Sequence, residues 1–149
     1  MKQVRVHGLI GLAMLLLLML SSGCSTMSDV VKAKESGQEG TSKIYPVSTA
    51  QAWDISKTVF RWEGCDAIEE HKQEGYMLTS SGVNLVPWGT VMGAWIEPAG
   101  KGSKVTVVTK RRISINVATT LTESTYQKRF AQAVDIVKSG KPLPATAPN

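Results

Sequence analysis

A chain of 149 residues with 17 Lys+Arg against 12 Asp+Glu has room for one domain and none for a multidomain enzyme. Its formal charge of +5 is unevenly spread: residues 1–23 hold Lys2, Arg5 and no acid, so their removal leaves +3. That basicity is too weak for a simple nucleic-acid binder.

Behind the basic start, Leu9–Leu20 is an apolar run. Twelve helical residues rise about 18 Å, short of the roughly 30 Å hydrocarbon core. Residues 1–23 are therefore expected to be a signal peptide and not a retained membrane helix. The following Ser21-Ser22-Gly23-Cys24-Ser25 resembles a bacterial lipobox, in which Cys24 is acylated and becomes the new N-terminus. The resemblance implies a membrane anchor, each buried methylene contributing about 0.8 kcal/mol. Ser25 after the cysteine implies sorting to the outer membrane, on its periplasmic side. The alternative is ordinary cleavage that leaves Cys24 a thiol. With Cys24 acylated, no second thiol remains for Cys65, which is expected to be a small buried hydrophobe.

Residues 24–42 are polar apart from a few side chains such as Val30 and Val31, and they read as a lipidated flexible tether. Such a tether reaches some 20–25 Å from the bilayer. Residues 43–140 form the domain. Ile44-Tyr45-Pro46-Val47 predicts a short strand, with Pro46 favouring a sheet edge. Ser48 and Gln51 have capping-box spacing ahead of a helix whose apolar stripe is Ala52, Ile55, Val59 and Trp62, flanked by Trp53 and Phe60. Gly64 ends it. Cys65–His71 and Gly75–Ser80 predict two strands around a polar turn, with Ile68 and either Tyr76 or Met77 inward. Gly82–Gly89, containing Val86, Pro87 and Trp88, is irregular and apolar.

Val91–Glu97 and Lys104–Val117 predict a hairpin about Pro98–Gly102. On the second arm Val105, Val107, Ile113, Ile115 and Val117 take odd positions, while Lys104, Thr106, Lys110, Arg112, Ser114 and Asn116 take even ones. One apolar face at period two predicts a sheet covered on one side only. Arg111 breaks the pattern and marks a bulge or strand end. Thr122 is placed to cap a last helix, with Leu121 positioned to staple against Tyr126 and an apolar face of Tyr126, Phe130, Ala133 and Val137. Gly140 and Pro142 stop it, and residues 141–149 read as a proline-rich extended tail. The order β-α-β-β-β-β-α predicts an α+β two-layer sandwich: an antiparallel sheet of four or five strands with two helices on one face.

The run Ser48-Thr-Ala-Gln-Ala-Trp53, a helix, and then Glu69-Glu-His-Lys-Gln-Glu-Gly-Tyr76 resembles the repeated unit of the BamC lipoproteins of the outer-membrane barrel-assembly machinery. It is also similar to families of small bacterial lipoproteins. The resemblance implies a helix-grip-like fold in an envelope setting, and it brings no catalytic residue.

Candidate chemistry is sparse. His71 stands in a turn beside Glu69, Glu70 and Glu74, but strand alternation sends Glu69 and Glu70 to opposite faces, so no metal site is expected. Cys65 and His71 are about 20 Å apart along an extended strand, too far for a nucleophile pair. No phosphate loop, cofactor motif or catalytic residue is expected. Charge asymmetry is more informative: residues 43–97 net −3 and residues 98–140 net +6. Lys104, Lys110 and Arg112 share one strand face and, with Trp88, form a candidate surface for an anionic surface or an envelope protein partner. The plainer reading is a solvated face that keeps the sheet soluble. The sequence thus points to a non-enzymatic outer-membrane lipoprotein acting as a scaffold or protein-interaction module. The alternative is a lipid- or glycan-binding module using a helix/sheet cleft near Trp88 and Trp95.

Overall fold

The computed structural model describes residues 26–37, 39–65, 67–81, 89–111 and 122–149. Eight elements follow in chain order: α1 (Met27–Ser36), β1 (Thr41–Tyr45), α2 (Thr49–Trp62), β2 (Ile68–His71), β3 (Tyr76–Ser81), β4 (Thr90–Ala99), β5 (Gly102–Arg111) and α3 (Glu123–Lys138). The strands form one antiparallel sheet in the order β1-β5-β4-β3-β2. This is the α+β sandwich read from the sequence, with a third helix added.

Local chemistry sets most boundaries. Ser48 Oγ accepts from the Gln51 N–H at 3.2 Å and Gln51 Oε1 accepts from the Ser48 N–H at 3.0 Å, closing the box that opens α2. Thr122 caps α3 by accepting from the Thr125 N–H. The β4–β5 ladder runs to Ala99↔Gly102 and turns through Gly100 and Lys101, with Gly100 at φ 58°, the left-handed conformation that a two-residue hairpin needs. β1 is an edge strand ending at Tyr45, so Pro46 follows it and withholds no ladder donor.

The two sides of the sheet bury separate sets. Ile55, Val59 and Phe60 of α2 and Tyr126, Phe130 and Ala133 of α3 pack on Met77, Met92, Val105 and Val107, all 0% exposed. Tyr45 reaches this core with its ring tilted by 40° against Phe130, the centroids 4.5 Å apart. Its hydroxyl donates to Gln127 Oε1 at 2.6 Å, while Gln127 Nε2 donates to the Thr41 carbonyl at 3.1 Å. A buried amide is thereby satisfied and β1 is pinned to α3. Glu123 adds a second pin, accepting from the Thr109 N–H at 3.1 Å and from the Thr41 hydroxyl. Cys65 is buried in the same core.

The opposite side is not open. α1 lies there, and its Val30 and Ala33 pack on Leu78, Val91, Trp95 and Val108. This corrects the expected tether over residues 24–42 and the expectation of a sheet covered on one side only. The physical reason is spacing: Met27, Val30 and Val31 fall at i, i+3 and i+4, which makes a narrow apolar stripe within a polar composition. Its start is also specified, because Asp29 Oδ2 accepts from the Thr26 N–H at 2.7 Å and from the Thr26 hydroxyl at 2.9 Å. Those bonds, the backbone one first, hold the Asp29 carboxyl below its usual range. Gly37 at φ 67° then ends the helix.

Candidate interaction site

Side chains of alternate residues on the α1 side line up in rows across the strands. One row reads His71, Tyr76, Trp95, Thr106, Ser42, since His71 pairs with Tyr76, Tyr76 with Trp95, Trp95 with Thr106 and Thr106 with Ser42. Its first three members stack: His71 on Tyr76 at 4.4 Å and Tyr76 on Trp95 at 5.5 Å. Cross-strand aromatic pairs of this kind pin sheet register. The Trp95 ring folds over Gly93, where a Cβ would stand 2.5 Å from two ring atoms. From above, Lys34 of α1 sits 5.9 Å from its ring centroid, within cation–π range. Trp95 is therefore 9% exposed, and the stacked faces of Tyr76 are occupied by its neighbours.

Lys104 and Lys110 lie on this side, as the alternation predicts, but neither is isolated. Lys104 pairs with Glu97, its direct neighbour across the hairpin, at 3.3 Å. Lys110 pairs with Glu39, which comes from the segment expected to be tether. Exposed pairs like these contribute at most about 1 kcal/mol each, yet they cancel the local field. Trp88 and Arg112, the other two members of the expected surface, lie outside the described residues, as does Cys24.

His71 Nε2 lies 2.7 Å from Glu69 Oε1 on the α1 side, while Glu70 points to the other side. Glu70 accepts from Lys57 at 2.6 Å and from the Trp53 indole at 2.8 Å, which ties β2 to α2. Lys57, and then Trp53, hold its carboxyl below the usual range. Among the described residues, no three His, Cys, Asp or Glu side chains are grouped to hold a metal ion.

The cleft expected between helix and sheet near Trp88 and Trp95 does not coincide with the described geometry. Trp95 points away from α2 and α3, and the space under those helices is filled by Phe60, Tyr126, Phe130, Met77 and Met92. A groove of about 290 Å³ lies elsewhere, open to solvent and lined by Thr49, Ala50, Trp53, Lys72, Gly75 and Ile96.

The proline-rich tail is not detached. Leu143 packs against the main core, the Trp62 indole N–H donates to the Pro144 carbonyl at 2.9 Å, and Arg129 Nη1 donates to the Pro148 carbonyl. Arg129 is itself held by Glu63 at 3.3 Å and by Gln132 at 3.1 Å. Periodicity signalled Trp62 as a helix-face residue, but nothing local to the sequence marked Arg129 or Leu143.

No family model and no curated protein matches the chain. Among solved structures it is similar to the crystal structure of Ara h 8.0201, at 13% identity and a TM-score of 0.38, over 67% of this chain and 96% of that one. A TM-score this low supports no inference about function.

Proposed function

We propose that the chain is a bacterial outer-membrane lipoprotein, anchored through acylated Cys24, whose α+β domain serves as a non-enzymatic protein-interaction or scaffold module on the periplasmic side. The observation that carries this reading is the order of the N-terminus: a basic start, a short apolar run, Gly23-Cys24-Ser25, and directly afterwards the Thr26 cap of a helix docked on the domain. The BamC-like run from Ser48 to Tyr76 is in keeping with an envelope setting. The test is fractionation of cells expressing the intact chain and Cys24→Ser. The reading expects the first in the outer-membrane fraction, the second in the soluble periplasm, and a co-purifying envelope protein that follows the domain. An intact chain that fractionates as soluble overturns the anchoring. A detergent-solubilised chain that brings down no stoichiometric partner overturns the scaffold role.

The rival reading, a lipid- or glycan-binding module, has one support in the open groove beside Trp53 and Lys72. It expects a saturable shift of the Trp53 indole resonance on titration with a short-chain phospholipid or a cell-wall glycan fragment. A resonance that stays fixed removes it.

A further inference from the structure

Two holds of unequal strength follow one another along the N-terminal part of the chain. A pull on Cys24 reaches α1 before any other described element. The helix has ten residues and is too short to stand by itself in water. It is kept down by Val30 and Ala33, by Lys34 over the Trp95 ring at 5.9 Å, and by the Glu39–Lys110 pair behind it. Gly37 at φ 67° and Gly40 at φ 106° joint it to β1. One residue further on, the hold changes in kind. Thr41 opens the β1–β5 ladder opposite Val107, its hydroxyl donates to Glu123, and its carbonyl accepts from Gln127 Nε2 at 3.1 Å. At the far end of β1, Tyr45 is buried in the main core with its hydroxyl on the same Gln127 side chain. The two holds lie on opposite sides of the sheet and share no buried residue.

We infer that α1 is a releasable length of anchor with a stop built in at Thr41. Docked, the link from Cys24 to the domain is the two residues to Thr26, about 7 Å at full extension. Released, it is the whole of residues 24–40, with a typical reach of about 20–25 Å and roughly 60 Å when pulled straight. Release bares Leu78, Val91, Trp95 and Val108, and this apolar face draws the helix back when the pull ends. The domain thereby keeps the bilayer on one side and a partner on the other while the gap between them varies. That use rests on the anchoring and scaffold readings; the stepwise release is a property of the fold alone.

The experiment uses the full chain, unacylated and kept in mild detergent, with DNA handles on Cys24 and on Lys101→Cys in the exposed β4–β5 turn, stretched in optical tweezers. A first reversible step at low force is expected to add the contour of residues 26–40, and a separate step at higher force to unfold the sheet. Val30→Ala raises the released population at zero force roughly 30-fold. Val30→Asp removes the first step, because the arm is already out, and keeps the second. Thr41→Val lowers the force of the second step and leaves the first unchanged. If Val30→Asp unfolds the chain, Val30→Ala still reads the first step. Opening in a single step, or a first step that runs on past Thr41 into β1, overturns the inference. A chain that opens in two steps but is not membrane-bound in cells refutes the anchoring alone, and a membrane-bound chain that opens in one step refutes the release alone.

Discussion

Replacing Val30 by aspartate asks whether α1 belongs to the domain as a separable layer. The helix is ten residues long, and a helix of that length is not stable in water by itself. Its hold on the sheet rests on Val30, which is 0% exposed, and Ala33, with Met27 and Val31 half-covered. Burying a valine side chain contributes about 1.5–3 kcal/mol, and one methyl such as that of Ala33 roughly 0.8 kcal/mol. An unpaired carboxylate set against Leu78, Val91 and Val108 costs several kcal/mol, more than that sum. The helix should therefore release as a unit. The core under α2 and α3 stays folded, because it shares no residue with the α1 side. Limited trypsin digestion reads the release directly: cleavage after Lys32 and Lys34 becomes fast, while Trp95 emission shifts to the red and thermal unfolding of the remainder stays cooperative. Val30→Ala, at about 2 kcal/mol, should raise the cleavage rate roughly 30-fold. Unchanged cleavage in the aspartate variant, or loss of the whole fold, would refute the separation of the two sides.

Three further outcomes follow from the same packing. Gly93→Ala puts a Cβ 2.5 Å from the Trp95 ring and 3.0 Å from Leu78, so it should cost about 1–3 kcal/mol by urea denaturation with a changed tryptophan emission; an unaltered midpoint contradicts the ring position. Tyr45→Phe removes the donor to Gln127 Oε1 at 2.6 Å and leaves a buried amide oxygen short of a partner, a loss of about 1–2 kcal/mol that the same titration reads; a variant as stable as the parent shows the bond contributes nothing. Burial pushes the Tyr45 phenol from 10.0 up to about 12. Its folded pKa is raised, so the stability it brings is complete below pH 10 and disappears as pH rises through about 12. Unfolding in that window should coincide with the part of the tyrosinate absorbance at 295 nm that Tyr45→Phe removes, whereas that part forming at pH 10 without unfolding removes the cause.

The sequence made the sandwich legible because α2 and α3 carry both cap and stripe, and because the β4–β5 hairpin combines strict alternation with a glycine turn. α1 escaped because its cap and stop signals, Thr26 with Asp29 and Gly37, enclose only two residues that become fully buried. Composition outweighed a spacing that was present. The tail escaped for another reason. What holds it is Trp62 and Arg129, 82 and 19 residues from their acceptors, and no local pattern encodes a contact at that separation. Alternation did place Lys104 and Lys110 on one side of the sheet correctly. It could not supply their partners, since Glu97 is brought in by register and Glu39 by a segment whose composition reads as a tether.

These pairings change what the charge polarity means. An acidic first half and a basic second half would make a dipolar surface only if the halves stayed apart in space. The antiparallel sheet interleaves them: β5 lies between β4 and β1, both from the first 99 residues, so Lys104 meets Glu97 and Lys110 meets Glu39. The lysines hold the sheet and its flanking segment together before they can serve any partner. The docked α1 alters the geometry of anchoring in the same way. From Cys24 to Thr26 is two residues, about 7 Å when fully extended, in place of a 20–25 Å tether. Under the proposed acylation the α1 end of the domain is held close to the bilayer, and α2 and α3 form the other layer. A protein partner would then dock through the layer that the anchor leaves accessible, and release of α1 would extend its reach without disturbing that layer.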